Sequence, residues 1–126
     1  MTARDQDVLR RHYPDGVFSK DCPSRTVLEH VTSKWGGLVL VILAEGRPVR
    51  WSELRRRAEG VSEKMLAQTL RILVEDGLVI RDARPVVPPY VEYSLTGRGQ
   101  EFAALYVPLM AWIADNAADI LGGSTA

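Results

Sequence analysis

The sequence predicts a mainly α-helical fold of the α+β class, and three of its features lead to that prediction. Residues 62–76 repeat leucine at helical spacing and stop at Gly77, where an alternating strand pattern begins. Residues 90–95 alternate in the same way and can pair with that strand as a β-hairpin. After residue 96, large apolar side chains recur every three or four positions, as in a long helix. This order is typical of a winged helix-turn-helix with a long C-terminal dimerisation helix.

The length of 126 residues suits a single domain, and 46% apolar with 25% charged residues is an ordinary globular composition. The N-terminal residues lack the basic and apolar regions of a signal peptide, and no apolar run approaches the roughly 20 residues that span a bilayer. We therefore expect a cytoplasmic protein without a membrane partner. The one cysteine, Cys22, excludes a disulfide within the chain and a cysteine-rich metal cage, so we expect neither metal nor cofactor.

Charge is distributed unevenly, although the 16 basic and 16 acidic side chains sum to zero. Residues 47–84 contain nine basic and six acidic side chains, a net charge of +3, whereas residues 85–126 contain one and four, a net charge of −3. Local fields rather than total charge attract a phosphate backbone. The basic middle third therefore favours double-stranded DNA as a partner, and a merely solvated surface is the alternative.

The first elements precede this basic segment. Residues 1–20 are assigned to a polar N-terminal extension, and residues 21–24 supply a cap candidate and a first-turn proline for a helix over residues 23–31. Residues 33–46 predict a core helix, followed by a short edge strand or turn. The folded domain is expected to cover residues 21–121, with a flexible tail at residues 122–126.

Two short helices joined by a glycine form the predicted helix-turn-helix. Ser52 is the expected N-cap of the first helix, and Gly60 breaks the chain before Ser62 caps the second. The second helix has an apolar stripe at i, i+4 and i+7, formed by Leu66, Leu70 and Leu73. Projecting on another face are Lys64, Gln68 and Arg71.

The predicted wing is a hairpin of residues 78–82 and 90–95, with a proline-rich tip at residues 83–89 that includes Arg84. Thr96 caps the last helix, and Pro108 is expected to kink or split it. This helix has more large apolar side chains than a small domain needs to cover it, and such a surplus usually marks an interface. The residues predicted for a dimer contact are Leu28, Leu109, Trp112 and Ile113. Packing of the helix on its own domain alone is the alternative.

From residue 22 to residue 112 the sequence resembles the HxlR family of bacterial winged-helix transcriptional regulators. The segments that support the resemblance are residues 22–23, 33–35, 51–55, 73–78 and 88–96, of which the Pro-Pro-Tyr-Val-Glu-Tyr-Ser-Leu-Thr wing is the most specific. Two positions depart from the family pattern. Tyr90 stands where arginine or lysine is usual, and Thr69 stands where arginine is frequent; both departures concern the DNA sequence that is read rather than the fold.

The resemblance implies a homodimer in which the last helices and the first helix form the interface. Its recognition helices would enter successive major grooves. Members of the family mostly repress transcription, so repression is the expected role. Arg71 has the chemistry to read guanine and Gln68 to read adenine, while Lys64 suits bases or phosphates. Ser62, at the helix N-terminus, suits a phosphate.

Other arginines are secondary candidates for the same partner. Arg81 and Arg84 on the wing suit phosphates or the minor groove. Arg55, Arg56 and Arg57 either join them or pair with nearby glutamates.

Two kinds of signal response are compatible with the sequence. Some HxlR proteins sense oxidants or electrophiles through a cysteine near the position of Cys22, so the resemblance implies a thiol switch there, and a small buried apolar group is the alternative. A small-molecule effector would instead bind among aromatic side chains, for which the candidates are Trp35, Trp51, Tyr93, Tyr106 and Trp112.

The remaining functional classes are less favoured. A winged-helix module that binds protein without binding DNA is the more serious rival. No catalytic residues are predicted, because His12 and His30 have no partners at metal-ligand or triad spacing.

Overall fold

The computed structural model describes residues 1–14 and 19–122. Over these ranges the elements in chain order are α1 (Ala3–His12), α2 (Pro23–Thr32), α3 (Lys34–Leu43), β1 (Val49–Arg50), α4 (Trp51–Arg57), α5 (Glu63–Glu75), β2 (Val79–Arg84), β3 (Tyr90–Leu95) and α6 (Gly97–Ile120). The predicted class, mainly helical with a β-hairpin wing and a long last helix, is confirmed.

The core lies where α3, α5 and the root of the sheet meet. The apolar stripe of α5 is at most 1% exposed at all three of its leucines, Leu66, Leu70 and Leu73. They pack with apolar side chains of α3 and the sheet, namely Val39, Leu40, Leu43, Val49, Val79 and Leu95. Burial of a leucine side chain contributes roughly 1.5–3 kcal/mol. The stripe therefore determines which face of α5 is turned away from solvent.

The sheet is antiparallel in the order β1-β3-β2. Tyr93 pairs with Val49 and Arg81, whereas Glu92 pairs with Arg50 and Asp82. Because side chains alternate along a strand, these two rows lie on opposite faces. The Tyr93 row faces the core, since Tyr93 is only 6% exposed. We name the opposite row, consisting of Ile80, Asp82, Arg84, Arg50, Tyr90, Glu92 and Ser94, the outer wing face.

The root of the wing is tied to the start of α6. The Thr96 hydroxyl donates to the carbonyl oxygen of Gly77 at 2.6 Å and accepts from the Gly99 amide at 2.9 Å. A Cβ at Gly99 would lie 2.1 Å from the carbonyl oxygen of Leu78. Only glycine permits so close an approach of α6 to the strand, so the wing and α6 share one rigid junction.

Several local predictions need correction. Ser52 is not an N-cap, because β1 runs directly into α4 and places Arg50 at the cap without a side-chain hydrogen bond. Pro108 does not split the last helix, which is continuous from Gly97 to Ile120. Arg84 belongs to strand β2 rather than to the hairpin tip. The expected flexible tail falls mainly on residues 123–126, which lie outside the described residues.

Helix α1 was not predicted. The polar lead-in was assigned no element, yet Thr2 and Asp5 form a reciprocal capping box at its start. Helix α1 has no buried residue in the single chain.

Length and apolar content decide whether a helix can span a bilayer. None of the described helices is by itself long and apolar enough to cross a membrane; α2 and α3 meet the criterion only as a pair bent by 72°.

Candidate nucleic-acid interface

Helix α5 presents one polar face to solvent. Its N-cap Ser62 accepts a hydrogen bond from the Met65 amide at 3.1 Å, as predicted. The exposed side chains at i, i+4 and i+7, opposite the buried leucine stripe, are Lys64, Gln68 and Arg71. Neither Lys64 nor Arg71 forms an ion pair within the part of the chain that the structure describes. The structure therefore brings the three sequence-predicted residues together on one face, with both cations available to an external anion.

Thr69 lies off this face. Its side chain is 8% exposed, and its hydroxyl donates to the carbonyl oxygen of Met65 at 2.8 Å. It borders a small cavity beside His30, at the contact between α2 and α5. His30 itself bonds to Asp76, with 2.7 Å between Nδ1 and Oδ2. Thr69 therefore belongs to the buried contact between α5 and α2 and not to the exposed polar face of α5.

The three arginines of α4 have different surroundings. Arg57 bonds to both Glu45 and Glu53, and Arg47 bonds to Glu53 with 2.6 Å between Nη2 and Oε2. The hydrogen bond from Arg57 lowers the pKa of Glu45, and the bond from Arg47 lowers that of Glu53. This network joins the end of α3 to α4.

The two other arginines of α4 lie outside this network. Arg55 pairs with Glu63 at 2.8 Å. Arg56 is exposed and has no ion pair among residues 1–14 and 19–122. Arg56 is therefore the member of the three whose charge is least neutralised.

The two predicted wing arginines lie on opposite faces of the sheet. Arg81 pairs with Tyr93 in the register, so it shares the core-facing row that continues toward α5, although its own side chain is exposed. Arg84 lies on the outer wing face and is stacked on Tyr90, with 4.5 Å from its guanidinium carbon to the ring centroid. The structure thus places Arg81, but not Arg84, on the sheet face that packs against the helices.

Arg50 is a further wing cation that sequence reasoning missed. Its guanidinium carbon lies 4.2 Å from the centroid of the same Tyr90 ring. The signal that would have revealed it is the strand register, which places Arg50 directly opposite Glu92, two residues from Tyr90. That register pairs elements about 40 residues apart, so no local pattern contains it.

Cys22 is the N-cap residue of α2, is half-buried, and makes no side-chain capping bond. The residues that follow it in sequence, Pro23 and Ser24, line an open apolar cavity of about 420 Å³ together with Leu28 and Phe102. Cys22 therefore directly precedes residues that line an apolar surface and is not itself a core residue.

The predicted dimer residues are all exposed in the single chain. Their exposed fractions are 42% for Leu28, 51% for Leu109, 57% for Trp112 and 39% for Ile113. Helix α1 adds Val8 and Leu9, at 38% and 39%. An amphipathic surface that a single chain leaves uncovered thus involves α1, α2 and α6.

The five aromatic candidates for an effector pocket do not meet. Tyr93 is packed in the core, whereas Trp112 is exposed on α6. A cavity of about 630 Å³ lies elsewhere, between the end of α3, strand β3 and α6. Its lining is apolar except for the uncharged side chains of Ser94 and Gln100, and consists otherwise of Leu43, Ala44, Gly46, Leu95, Ala103, Ala104, Val107 and Pro108. None of the five aromatic candidates lines this cavity.

Over the two described ranges, no group of three or more histidine, cysteine, aspartate or glutamate side chains is placed to hold a metal ion.

Comparison with known proteins supports the same kind of fold. The profile of the HxlR-like helix-turn-helix family matches residues 30–120. A relative from Escherichia coli (strain K12), the HTH-type transcriptional regulator YtfH, is 53% identical over 105 residues, which cover 83% of this chain and 82% of YtfH.

Two solved structures are similar as well. The transcriptional regulator ytfH from Salmonella typhimurium superposes with a TM-score of 0.80 at 50% identity, covering 85% of this chain and 95% of that one. The redox regulator HypR in its oxidized form superposes with a TM-score of 0.68 at 34% identity, covering 75% and 97%.

Proposed function

This chain belongs to the HxlR-like helix-turn-helix family of transcriptional regulators, and from that premise we propose that it is a sequence-specific, homodimeric DNA-binding repressor with α5 as its recognition helix. The observation that most supports this proposal is the exposed face of Lys64, Gln68 and Arg71 on a helix that is capped, anchored by a buried stripe and followed by a wing. A helix presented in this way fits the major groove, whose width admits one helix.

The residues on the polar face of α5 differ in whether their chemistry suits bases or phosphates. Arg71 can donate two parallel hydrogen bonds to guanine O6 and N7, and Gln68 can donate to and accept from adenine. Lys64 lies in the first turn of α5 and Ser62 caps it, so both are near the end of the helix that favours phosphate. Arg81 on the wing adds a further phosphate contact.

The homodimer is proposed from the uncovered apolar surface of α1, α2 and α6. Trp112 is its largest side chain and is 57% exposed, so association would remove a large aromatic surface from water. A two-fold arrangement would place the two α5 helices in half-sites about 10 base pairs apart or at a multiple of that spacing.

A signal response at Cys22 is proposed from its position and from the relationship to a redox regulator. Cys22 is half-buried at the start of α2, next in sequence to residues of the apolar surface assigned to the dimer. Oxidation to a disulfide with a partner subunit or a small thiol would therefore change that surface. Treatment with diamide should alter DNA binding by the wild type but not by Cys22→Ser.

A small-molecule effector is a second candidate, supported by the cavity of about 630 Å³ between β3 and α6. Its volume is in the range of ligand sites, and its lining suits an apolar molecule with one uncharged hydrogen-bonding group. Strand β3 belongs to the wing and α6 to the proposed dimer interface. A ligand in this cavity would therefore contact both, and its binding would couple the position of the wing to dimer association. If diamide leaves DNA binding unchanged and an apolar ligand releases the protein from DNA, the result would favour a small-molecule effector over oxidation of Cys22.

The proposed function is tested by fluorescence anisotropy with a duplex covering the DNA upstream of the protein's own gene, compared with a scrambled duplex. We expect tighter binding to the upstream duplex, and Arg71→Ala should reduce this preference by about 1–3 kcal/mol at one base position. Arg98→Ala, an exposed arginine of α6 outside the polar face, is the control. Absence of binding to any duplex would contradict the proposal and favour a protein-interaction module.

A further inference from the structure

The outer wing face gathers two arginines around one tyrosine. Strand β3 is the central strand, and Arg50 on β1 and Arg84 on β2 approach the Tyr90 ring from the strands on either side. Both guanidinium carbons lie within 4.5 Å of the ring centroid, well inside the range of about 6 Å for a cation–π contact. Tyr90 therefore holds together two cations that would otherwise repel each other.

Glu92 completes this cluster. It lies on the same sheet face as Tyr90, accepts the hydrogen bond of the Tyr90 hydroxyl, and is 3.5 Å from Arg84. The Tyr90 bond raises the pKa of the phenol, because the carboxylate stabilises its protonated form. The Glu92 side chain is only 15% exposed, so it is largely covered by the groups around it. Its carboxylate thus occupies the position of an anion between the tyrosine and an arginine.

The ion pairs of Arg84 are long, which distinguishes this cluster from a purely structural salt bridge. Both Asp82 and Glu92 are 3.5 Å from Arg84, whereas Arg47 and Glu53 in the α4 network are separated by 2.6 Å. The Arg84 side chain is 54% exposed. Arg50 forms no ion pair with any residue that the structure describes. Stacking uses the face of a guanidinium and leaves N–H donors at its edge, which suits bidentate binding of a phosphate.

We propose that Arg50 and Arg84, positioned by Tyr90, form a two-arginine site for a DNA backbone phosphate on the outer wing face, and that Glu92 is the carboxylate which this phosphate replaces. The proposal rests on the proposed DNA-binding function and adds to it a second phosphate-binding arginine on the outer wing face, Arg50, a positioning residue, Tyr90, and a competing carboxylate, Glu92. It also gives a role to Tyr90, since the tyrosine gathers cations from two neighbouring strands.

The test uses the full chain and a random-sequence duplex of 30 base pairs, because phosphate contacts do not depend on base sequence. Affinity is measured by fluorescence anisotropy across a series of KCl concentrations. Log affinity falls linearly with log salt concentration, and each phosphate contact makes this negative slope steeper by about 0.9. Because the two arginines bind one phosphate, we expect Arg50→Gln and Arg84→Gln each to reduce the magnitude of this slope by up to about 0.9. Arg4→Gln, an exposed arginine of α1, should leave the slope nearly unchanged.

Glu92→Gln should have the opposite effect. Removal of the competing carboxylate frees Arg84, so we expect affinity for the duplex to rise about two- to fivefold, the range expected for loss of a surface ion pair. Glu101→Gln changes the net charge equally, at an exposed position of α6 with no ion pair over the described ranges. A gain in Glu92→Gln no larger than in Glu101→Gln would overturn the role of Glu92.

Tyr90 is tested with two substitutions. Tyr90→Phe keeps the ring and should keep the wild-type salt slope, whereas Tyr90→Leu removes the stacking and should lower the slope toward that of Arg50→Gln. Thermal unfolding midpoints show whether each variant is folded. If Arg50→Gln and Tyr90→Leu both keep the wild-type slope while Lys64→Ala lowers it, the two-arginine site is refuted and the recognition helix is not. If the wild type itself does not bind the duplex, the proposed function fails.

Discussion

Helices α5 and α6 differ in how much of their apolar surface their own chain covers. The 13 residues of α5 include four buried ones, Leu66, Thr69, Leu70 and Leu73, whereas the 24 residues of α6 include only Gly99 and Ala103. On α6, Leu105, Leu109 and Trp112 are all more than half exposed. The helix-turn-helix and wing are therefore completed within one chain, while α6 is anchored mainly at its first turns. This difference shows that the unit proposed to bind DNA has its own core, whereas much of the apolar surface of α6 is left uncovered by the single chain.

The largest expected effect comes from breaking the anchorage of α5. Leu70→Ala opens a cavity at a side chain that is 1% exposed, so we expect the free energy of unfolding to fall by about 2–5 kcal/mol. Met65→Ala in the same helix removes a side chain that is 43% exposed and should change it by less than about 1 kcal/mol. Urea unfolding measures both; equal losses would contradict the assignment of the two faces.

Substitutions at the exposed end of α6 should change the affinity between subunits more than the free energy of unfolding. Trp112→Ala is expected to weaken the proposed homodimer by about 2 kcal/mol, roughly 30-fold in its dissociation constant, because large aromatic side chains dominate interfaces. Asp119→Ala, farther along the same helix and also exposed, is the control. Sedimentation equilibrium measures the constant. A wild type that remains monomeric would contradict the proposed homodimer.

The junction between α6 and the wing gives an intermediate effect. A methyl group at Gly99 would lie 2.1 Å from the carbonyl oxygen of Leu78, so Gly99→Ala should destabilise the fold by about 1–3 kcal/mol. Gly97, two residues earlier, has no atom within 4 Å of its built Cβ, and Gly97→Ala should be neutral or slightly stabilising. Thermal unfolding of the two variants distinguishes a tight junction from a general intolerance of substitution at the start of α6.

The smallest effect concerns pH and the charged network on α4. The pKa values of Glu45 and Glu53 are lowered in the folded state, mainly by hydrogen bonds from Arg57 and Arg47. Carboxyl groups with lowered pKa values stabilise the fold above their unfolded pKa of about 4.5, and this stabilisation disappears as pH falls through the folded values. Arg57→Ala should therefore show a shallower loss of stability between about pH 5 and about pH 3 than the wild type. Arg56→Ala should follow the wild type; an identical decline in both variants would exclude the network as a cause.

Elements with a strong local period were predicted well. The α5 helix, its Ser62 cap, the Gly77 stop and the Thr96 cap of α6 all agree with the structure. Each depends on residues within one or two turns of each other, where backbone geometry and short-range hydrogen bonds decide the outcome. Predictions at boundaries were weaker. Ser52 was taken for a cap because the direct passage from β1 into α4 has no sequence signature.

The candidate site was only partly predictable, for the same reason. The face of Lys64, Gln68 and Arg71 follows from helical spacing. The separation of Arg81 and Arg84 onto opposite sheet faces, and the addition of Arg50, follow from the pairing of β3 with both neighbouring strands. The burial of Thr69 follows from the packing of α2 beside α5. None of these depends on neighbours in sequence.

The sequence by itself thus determined most of the helices and strands, although not α1, and which face of α5 is apolar, because these properties follow from local periodicity and capping. Tertiary structure decided which charges are neutralised and which are available. Arg55 and Arg57 are paired with glutamates, Lys64 and Arg71 are free of ion pairs within the described residues, and Arg50 joins Arg84 at Tyr90. Ion pairs and stacking act over a few ångströms in space regardless of separation along the chain, so only the register of the sheet and the packing of the helices could settle them.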